Sequence, residues 1–198
     1  MLNDIIVASG NAGKIKEIAA LLADMPVRVT SLKDYWNPVP SIPENGDTFL
    51  DNARIKAQWV FDTTGRPSLA DDSGLVVDAL NGEPGVHSAR YAGEPSSDSC
   101  NTQKLLAALA AIPRAQRTAR FVCTMVLIVS ADEVLVAEGT CEGHIGFEPA
   151  GDNGFGYDPV FIPDGYTQTF AQLDESIKNT ISHRAQALVS LKEAIQAV

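Results

Sequence analysis

The chain has 198 residues, 45% of them hydrophobic, and a mean hydropathy near zero, which suits one substantial globular core with room for two lobes. Its formal net charge is -10 and its pI about 4.6, which argues against a general nucleic-acid binder or a binder of anionic membrane, since both need a positive footprint. Cys100, Cys123 and Cys141 lack CxxC or zinc spacing, no apolar run is long enough to cross a bilayer, and Met1-Leu2-Asn3-Asp4 lacks a basic leader, so a reduced, cytoplasmic protein is expected.

Ile5–Ala8 reads as a buried strand, and Ile15, Ile18, Ala19 and Leu22 then recur at helical spacing. Between them lies Ser9-Gly10-Asn11-Ala12-Gly13-Lys14. A small-residue turn from strand to helix lets backbone N–H groups approach an anion, while the helix start adds a favourable field and Lys14 a full charge. The spacing is not that of a Walker A loop, which needs four residues between its glycines and Ser or Thr after the lysine. The alternative is a tight turn with a surface lysine.

Val27–Thr30 alternates and reads as a second strand. A proline-rich connection leads through Glu44-Asn45-Gly46-Asp47-Thr48 to a helix on which Phe49, Ala53, Lys56, Ala57 and Val60 share one side. Lys56 therefore sits beside an apolar stripe. Glu44 is either a metal carboxylate or a surface residue of a mobile loop. Ser68-Leu69-Ala70 reads as a short strand ending at Asp71-Asp72-Ser73-Gly74, after which Leu75-Val76-Val77 resumes the extended pattern. Adjacent carboxylates suit a hard divalent cation or a water awaiting deprotonation. Successive residues of an extended strand face opposite ways, so one carboxylate reaches a given site. The other reading is a polar turn in which the aspartates bond nearby N–H groups.

Asn81–Ser96 is loop-rich, and Ser97 or Asp98 caps a helix that runs to the neighbourhood of Ile112. Phe121–Val129 and Val134–Thr140 read as an antiparallel pair of strands joined by Ser130-Ala131-Asp132-Glu133. In the Gly-rich loop Pro149–Asp158, Gly154 and Gly156 flank Phe155. There Phe155 can stack on a base and Asp158 can accept from a sugar or base edge; the alternative is a turn with a core aromatic. Val160-Phe161-Ile162 reads as a strand, and Ser182 as the cap of a last helix. Lys178, Ser182, His183 and Arg184 form a dense donor set for a ligand oxygen or phosphate, or else an ordinary cap with exposed basic neighbours. His144 has no metal-ligand context, and the chain lacks a Gly-x-Ser-x-Gly elbow and a GxGxxG fingerprint. The elements together indicate an α/β fold with a mixed twisted central sheet flanked by helices.

Taken in order, these motifs, with Asn52-Ala53, Pro84-Gly85 and Ser88-Ala89-Arg90-Tyr91, resemble the inosine triphosphate pyrophosphatase family from end to end. The resemblance implies hydrolysis of the noncanonical purine nucleotides ITP, dITP and XTP to the monophosphate and pyrophosphate. It implies Mg2+, a homodimer, and a single domain over 1–198 with two lobes and an active-site cleft. By motif position, Ser9, Gly10, Asn11, Ala12, Gly13 and Lys14 become the triphosphate loop and Lys56 a second phosphate cation. Asp72 becomes the general base and metal-linked carboxylate, Glu44 its metal partner and Ser73 a substrate contact. Phe155, Gly156, Tyr157 and Asp158 become base and sugar contacts, and Lys178, His183 and Arg184 recognise the base. Gln172, Ile177 and Asp152-Asn153 depart from the family pattern in ways that bear on fine base preference. Two rivals are a related pyrophosphatase for a modified pyrimidine or ordinary nucleotide, and a nucleotide sensor that has lost its chemistry.

Overall fold

The computed structural model describes residues 2–196. Strand β1 (Asp4–Val7) leads into helix α1 (Ala12–Leu21), strand β2 (Arg28–Ser31), helix α2 (Phe49–Thr64) and strand β3 (Ser68–Val77). Helix α3 (Asp98–Ala108) precedes strands β4 (Thr118–Ser130), β5 (Glu133–Ile145) and β6 (Phe161–Pro163), and helices α4 (Glu175–Ile181) and α5 (His183–Gln196) close the described chain. The six strands form one sheet in the order β2-β1-β3-β4-β5-β6. It is mixed: β1 runs parallel to β2 and β3, whereas β6 is antiparallel to β5.

The chain divides into two units, with β3, β4 and β5 contributing residues to each. The first takes the segment ending at Asp72, Cys123–Gly139 and the segment beginning at Arg184. Its central strand β1 is apolar on both faces, as a parallel strand covered on both sides must be. Ile5 and Val7 pack with Ile18 of α1, Leu22 just past its end, and Leu188 and Leu191 of α5. Ile6 packs with Ala53, Ala57 and Val60 of α2, beside Val126 and Ile128. Each fully buried Leu, Ile or Val side chain contributes about 1.5–3 kcal/mol. The second unit, Ser73–Val122 with Thr140–His183, has its own core of Leu75, Val77, Leu105, Leu109, Phe121, Phe161 and Phe170.

Local signals account for the helix ends. Asn11, Thr48 and Ser97 cap α1, α2 and α3 by accepting a first-turn N–H. Gly65 closes α2 at φ 64°, a left-handed conformation that favours glycine. The expected break after Ala70 is absent, because β3 runs without interruption through Asp71 and Asp72. Both aspartates are buried on cationic partners described below, which removes the cost that would otherwise end the strand. The connection between β4 and β5 is two residues long rather than four, and α3 stops at Ala108. Helix α4 has no counterpart among the expected elements; Asp174 caps it and Lys178 lies on it rather than in a loop. Among the described residues no helix is long and apolar enough to cross a membrane.

Candidate active site

The first unit carries the Ser9–Lys14 loop and both aspartates. Ser9 Oγ accepts from the N–H of Asn11 at 3.1 Å, and Asn11 Oδ1 accepts from the N–H of Lys14 at 3.1 Å, so side chains preform the turn. Ala12 and Gly13 open the first turn of α1, where N–H groups have no intrahelical acceptor. No atom lies within 4 Å of where a Cβ on Gly10 would stand, so the backbone there is open to approach.

On β3 the two carboxylates go to different partners, as strand alternation requires. Asp71 Oδ2 accepts from Lys14 Nζ at 3.0 Å and from Arg184 Nη2 at 3.3 Å, and Arg184 Nη1 reaches Glu17. Burial pushes the Asp71 carboxyl upward, but Lys14, Arg184 and Lys56 outweigh it and hold it well below the usual carboxylate range. Burial likewise disfavours the charge on Arg184, and Asp71 prevails, keeping the guanidinium protonated. Asp72 Oδ1 lies 3.3 Å from Lys56 Nζ, which also donates to Glu44 Oε1 at 2.6 Å. Here burial prevails over Lys56 and Lys14, Glu44 adds repulsion, and the Asp72 carboxyl is raised above its usual range. A carboxylate of raised proton affinity is a better general base. Burial opposes the charge of Lys56, but Asp72, Asp71 and Glu44 together hold its ammonium protonated.

Glu44 reaches Lys56 because the segment before α2 lies against that helix. Gly46 N–H donates to Asn52 Oδ1 at 2.8 Å, and a Cβ on Gly46 would stand 2.5 Å from Asp51 Cβ. Asn52, buried one turn before Lys56, was named only as a motif residue and given no role, although its i, i+4 placement on the lysine's face is a readable signal. Glu17 was missed too; it follows Lys14 by three positions on α1, the helical neighbour spacing.

Magnesium takes one or two carboxylates and completes its shell with water and substrate phosphates. Asp72 and Glu44 match that donor chemistry, and Asp72 Oδ2 is buried with no hydrogen-bond partner among the described residues. Among those residues no group of three or more His, Cys, Asp or Glu forms a fuller cage. The site therefore fits an ion that relies on phosphate oxygens for the rest of its coordination.

The second unit holds the Phe155 loop. Gly154 and Gly156 adopt φ 77° and 62°, and the buried Asp158 accepts from the N–H of Phe155 at 2.9 Å and from Lys178 Nζ at 2.6 Å. The Lys178 ammonium lies 4.8 Å from the Phe155 ring centre, so aromatic, cation and carboxylate form one cluster. Tyr157 departs from the expected ligand contact: its ring is in the core and its hydroxyl donates to Ser88 O at 2.8 Å. His183 is buried and stacks on Phe121 with ring centres 4.8 Å apart. Ser73 is half-buried on β3. Arg184 belongs to the first unit, where Asp71 and Glu17 take its guanidinium; these contacts give no support to the role in base recognition expected of it.

The model of the Ham1 family matches residues 5–194. The chain is 48% identical over 197 residues to a dITP/XTP pyrophosphatase of Shouchella clausii, covering 100% of this chain and 98% of the relative. It is similar to the solved structure of a HAM1 protein from Coxiella burnetii, with a TM-score of 0.89, 43% identity and full coverage of both chains. A nucleoside-triphosphatase / dITP/XTP pyrophosphatase from Mycobacterium abscessus matches with a TM-score of 0.76 and 45% identity, over 95% of this chain and 98% of that one.

Proposed function

Because the chain belongs to the Ham1 family, we propose that it hydrolyses noncanonical purine nucleoside triphosphates, dITP, XTP and ITP, to the monophosphate and pyrophosphate. One observation carries the chemistry: the buried Asp72 carboxylate has one oxygen beside Lys56 and the other without a hydrogen-bond partner among the described residues. Asp72 orients a water and takes its proton as the water oxygen attacks the α-phosphorus in line. The bond from that phosphorus to the α–β bridging oxygen breaks, and pyrophosphate leaves.

The Ser9–Gly13 loop and Lys14 bind the phosphates through backbone N–H groups and an ammonium, and Lys56 adds a second cation. Asp71 keeps the Lys14 ammonium in place, and Arg184 acts through Asp71. When bound by Asp72 and Glu44, Mg2+ would neutralise phosphate charge and stabilise the departing pyrophosphate.

Base choice follows from hydrogen-bond sign. Hypoxanthine and xanthine carry an acceptor oxygen at position six, where adenine carries a donor amine. Donors from Lys178 and His183 favour the oxygen, and a buried mismatch supports large discrimination. Phe155 stacks on the base, and Asp158 holds the loop and the lysine. A homodimer in the cytoplasm completes the reading. The test is turnover with Mg2+ and a panel of XTP, dITP, ITP, ATP, GTP and dUTP. The reading expects monophosphate and pyrophosphate from the first three above the rest; preference for ATP or dUTP, or no turnover of XTP and dITP, would contradict it.

A further inference from the structure

We propose that Asp98, the first residue of α3, is a positioning residue that holds the Phe155 loop in its base-stacking shape; the proposal rests on the reading of Phe155 as a base contact. An acid in the first turn of a helix is ordinarily accounted for by the field of the helix start. Asp98 does something further: its Oδ2 accepts from the backbone N–H of Gly156 at 2.8 Å. The preceding N–H, that of Phe155, goes to Asp158 at 2.9 Å. Two successive peptide groups are thus each held by a carboxylate, one from α3 and one from the loop itself.

The two halves of the loop are secured differently. At Gly154 a Cβ would stand 2.0 Å from Asp158 Oδ2, so that half is closely packed. At Gly156 nothing lies within 4 Å, so packing does not hold it. A glycine at φ 62° without packing has wide conformational freedom, and its N–H bond to Asp98 restricts it. Thr102, one turn along α3 on the same side, places its hydroxyl 3.5 Å from the Gly156 carbonyl. Asp98 is exposed, so removing its carboxylate buries no unpaired charge and leaves the fold intact.

The test compares Asp98→Ala, Asp98→Asn, Phe155→Ala and the Asp98→Ala/Phe155→Ala pair in steady-state kinetics with XTP. It also follows hydrogen exchange of the Gly156 amide by NMR. Asp98→Ala raises KM about fivefold with kcat changed less, the scale of one lost hydrogen bond. Asp98→Asn retains an acceptor oxygen and restores most of the loss. Asp98→Ala adds nothing in the Phe155→Ala background, because both act through one ring. Gly156 exchange accelerates in Asp98→Ala and recovers in Asp98→Asn. Unchanged KM and exchange in Asp98→Ala, or an undiminished KM effect without Phe155, overturns the proposal alone. An unchanged KM in Phe155→Ala overturns the base reading and the proposal with it.

Discussion

Asp71 and Asp72 are neighbours with opposite electrostatics, and the proposed mechanism rests on that difference. Asp71 is held ionised by Lys14 and Arg184, while burial raises the proton affinity of Asp72. Asp72→Asn keeps the shape and loses the base, so kcat falls by about 10²–10⁴. Circular dichroism of that variant stays native, and near-normal kcat would remove the role. Lys14→Ala removes the proposed phosphate cation and leaves Asp71 with one fewer partner, so kcat/KM falls with KM raised, as steady-state assays with XTP would show. The cysteines give a pH prediction. Burial pushes the Cys123 and Cys141 thiols up to about 12 from an ordinary value of 9.0, whereas Cys100 is exposed. At pH 10 the unfolded chain loses thiol protons that the folded chain keeps, so stability falls as pH rises above 9. Mass spectrometry after iodoacetamide should find Cys100 alkylated at pH 10 and the other two only in denaturant.

At the scale of elements, Arg184 ties the start of α5 to β3 through Asp71 and to α1 through Glu17. Its removal takes a cation away from two carboxylates in a buried site. Arg184→Ala therefore costs about 3–5 kcal/mol in urea unfolding. A loss below about 1 kcal/mol, the value for an exposed pair, would contradict the assignment. The same network explains what could be read from the sequence. Helices α1 and α2 were legible because their apolar stripes repeat at helical spacing. The continuity of β3 was not, because Asp71-Asp72 reads locally as a turn. The strand survives through Lys14, Lys56 and Arg184, which come from other elements and which local pattern does not connect to it. Alternation did show that the two carboxylates part company, though not which cation each meets. Arg184 read as a ligand donor because it adjoins His183; its burial on Asp71 is a tertiary fact. Helix α4 escaped because it has seven residues, too few for a periodic signal.

At the scale of the whole molecule, the mixed α/β sheet was legible from the order of apolar runs, and the family from motifs spread from Ser9 to Arg184. The chain carries a net charge of -10, yet Lys14, Lys56 and Arg184 gather in one unit and Lys178 meets Phe155 in the other. The cations are concentrated where the proposed phosphate and base contacts need them. Each is already matched by carboxylates, and the proposed divalent ion would offset the charge of a strongly anionic substrate. The proposed homodimer predicts a sedimentation mass of twice 21.1 kDa, and a mass of 21.1 kDa would contradict it. The central claim, attack of an Asp72-activated water on the α-phosphorus, is tested most directly by turnover of XTP in ¹⁸O-water with the products analysed by mass spectrometry. The account predicts one ¹⁸O in the monophosphate and unlabelled pyrophosphate; label in pyrophosphate, or release of orthophosphate, would contradict it.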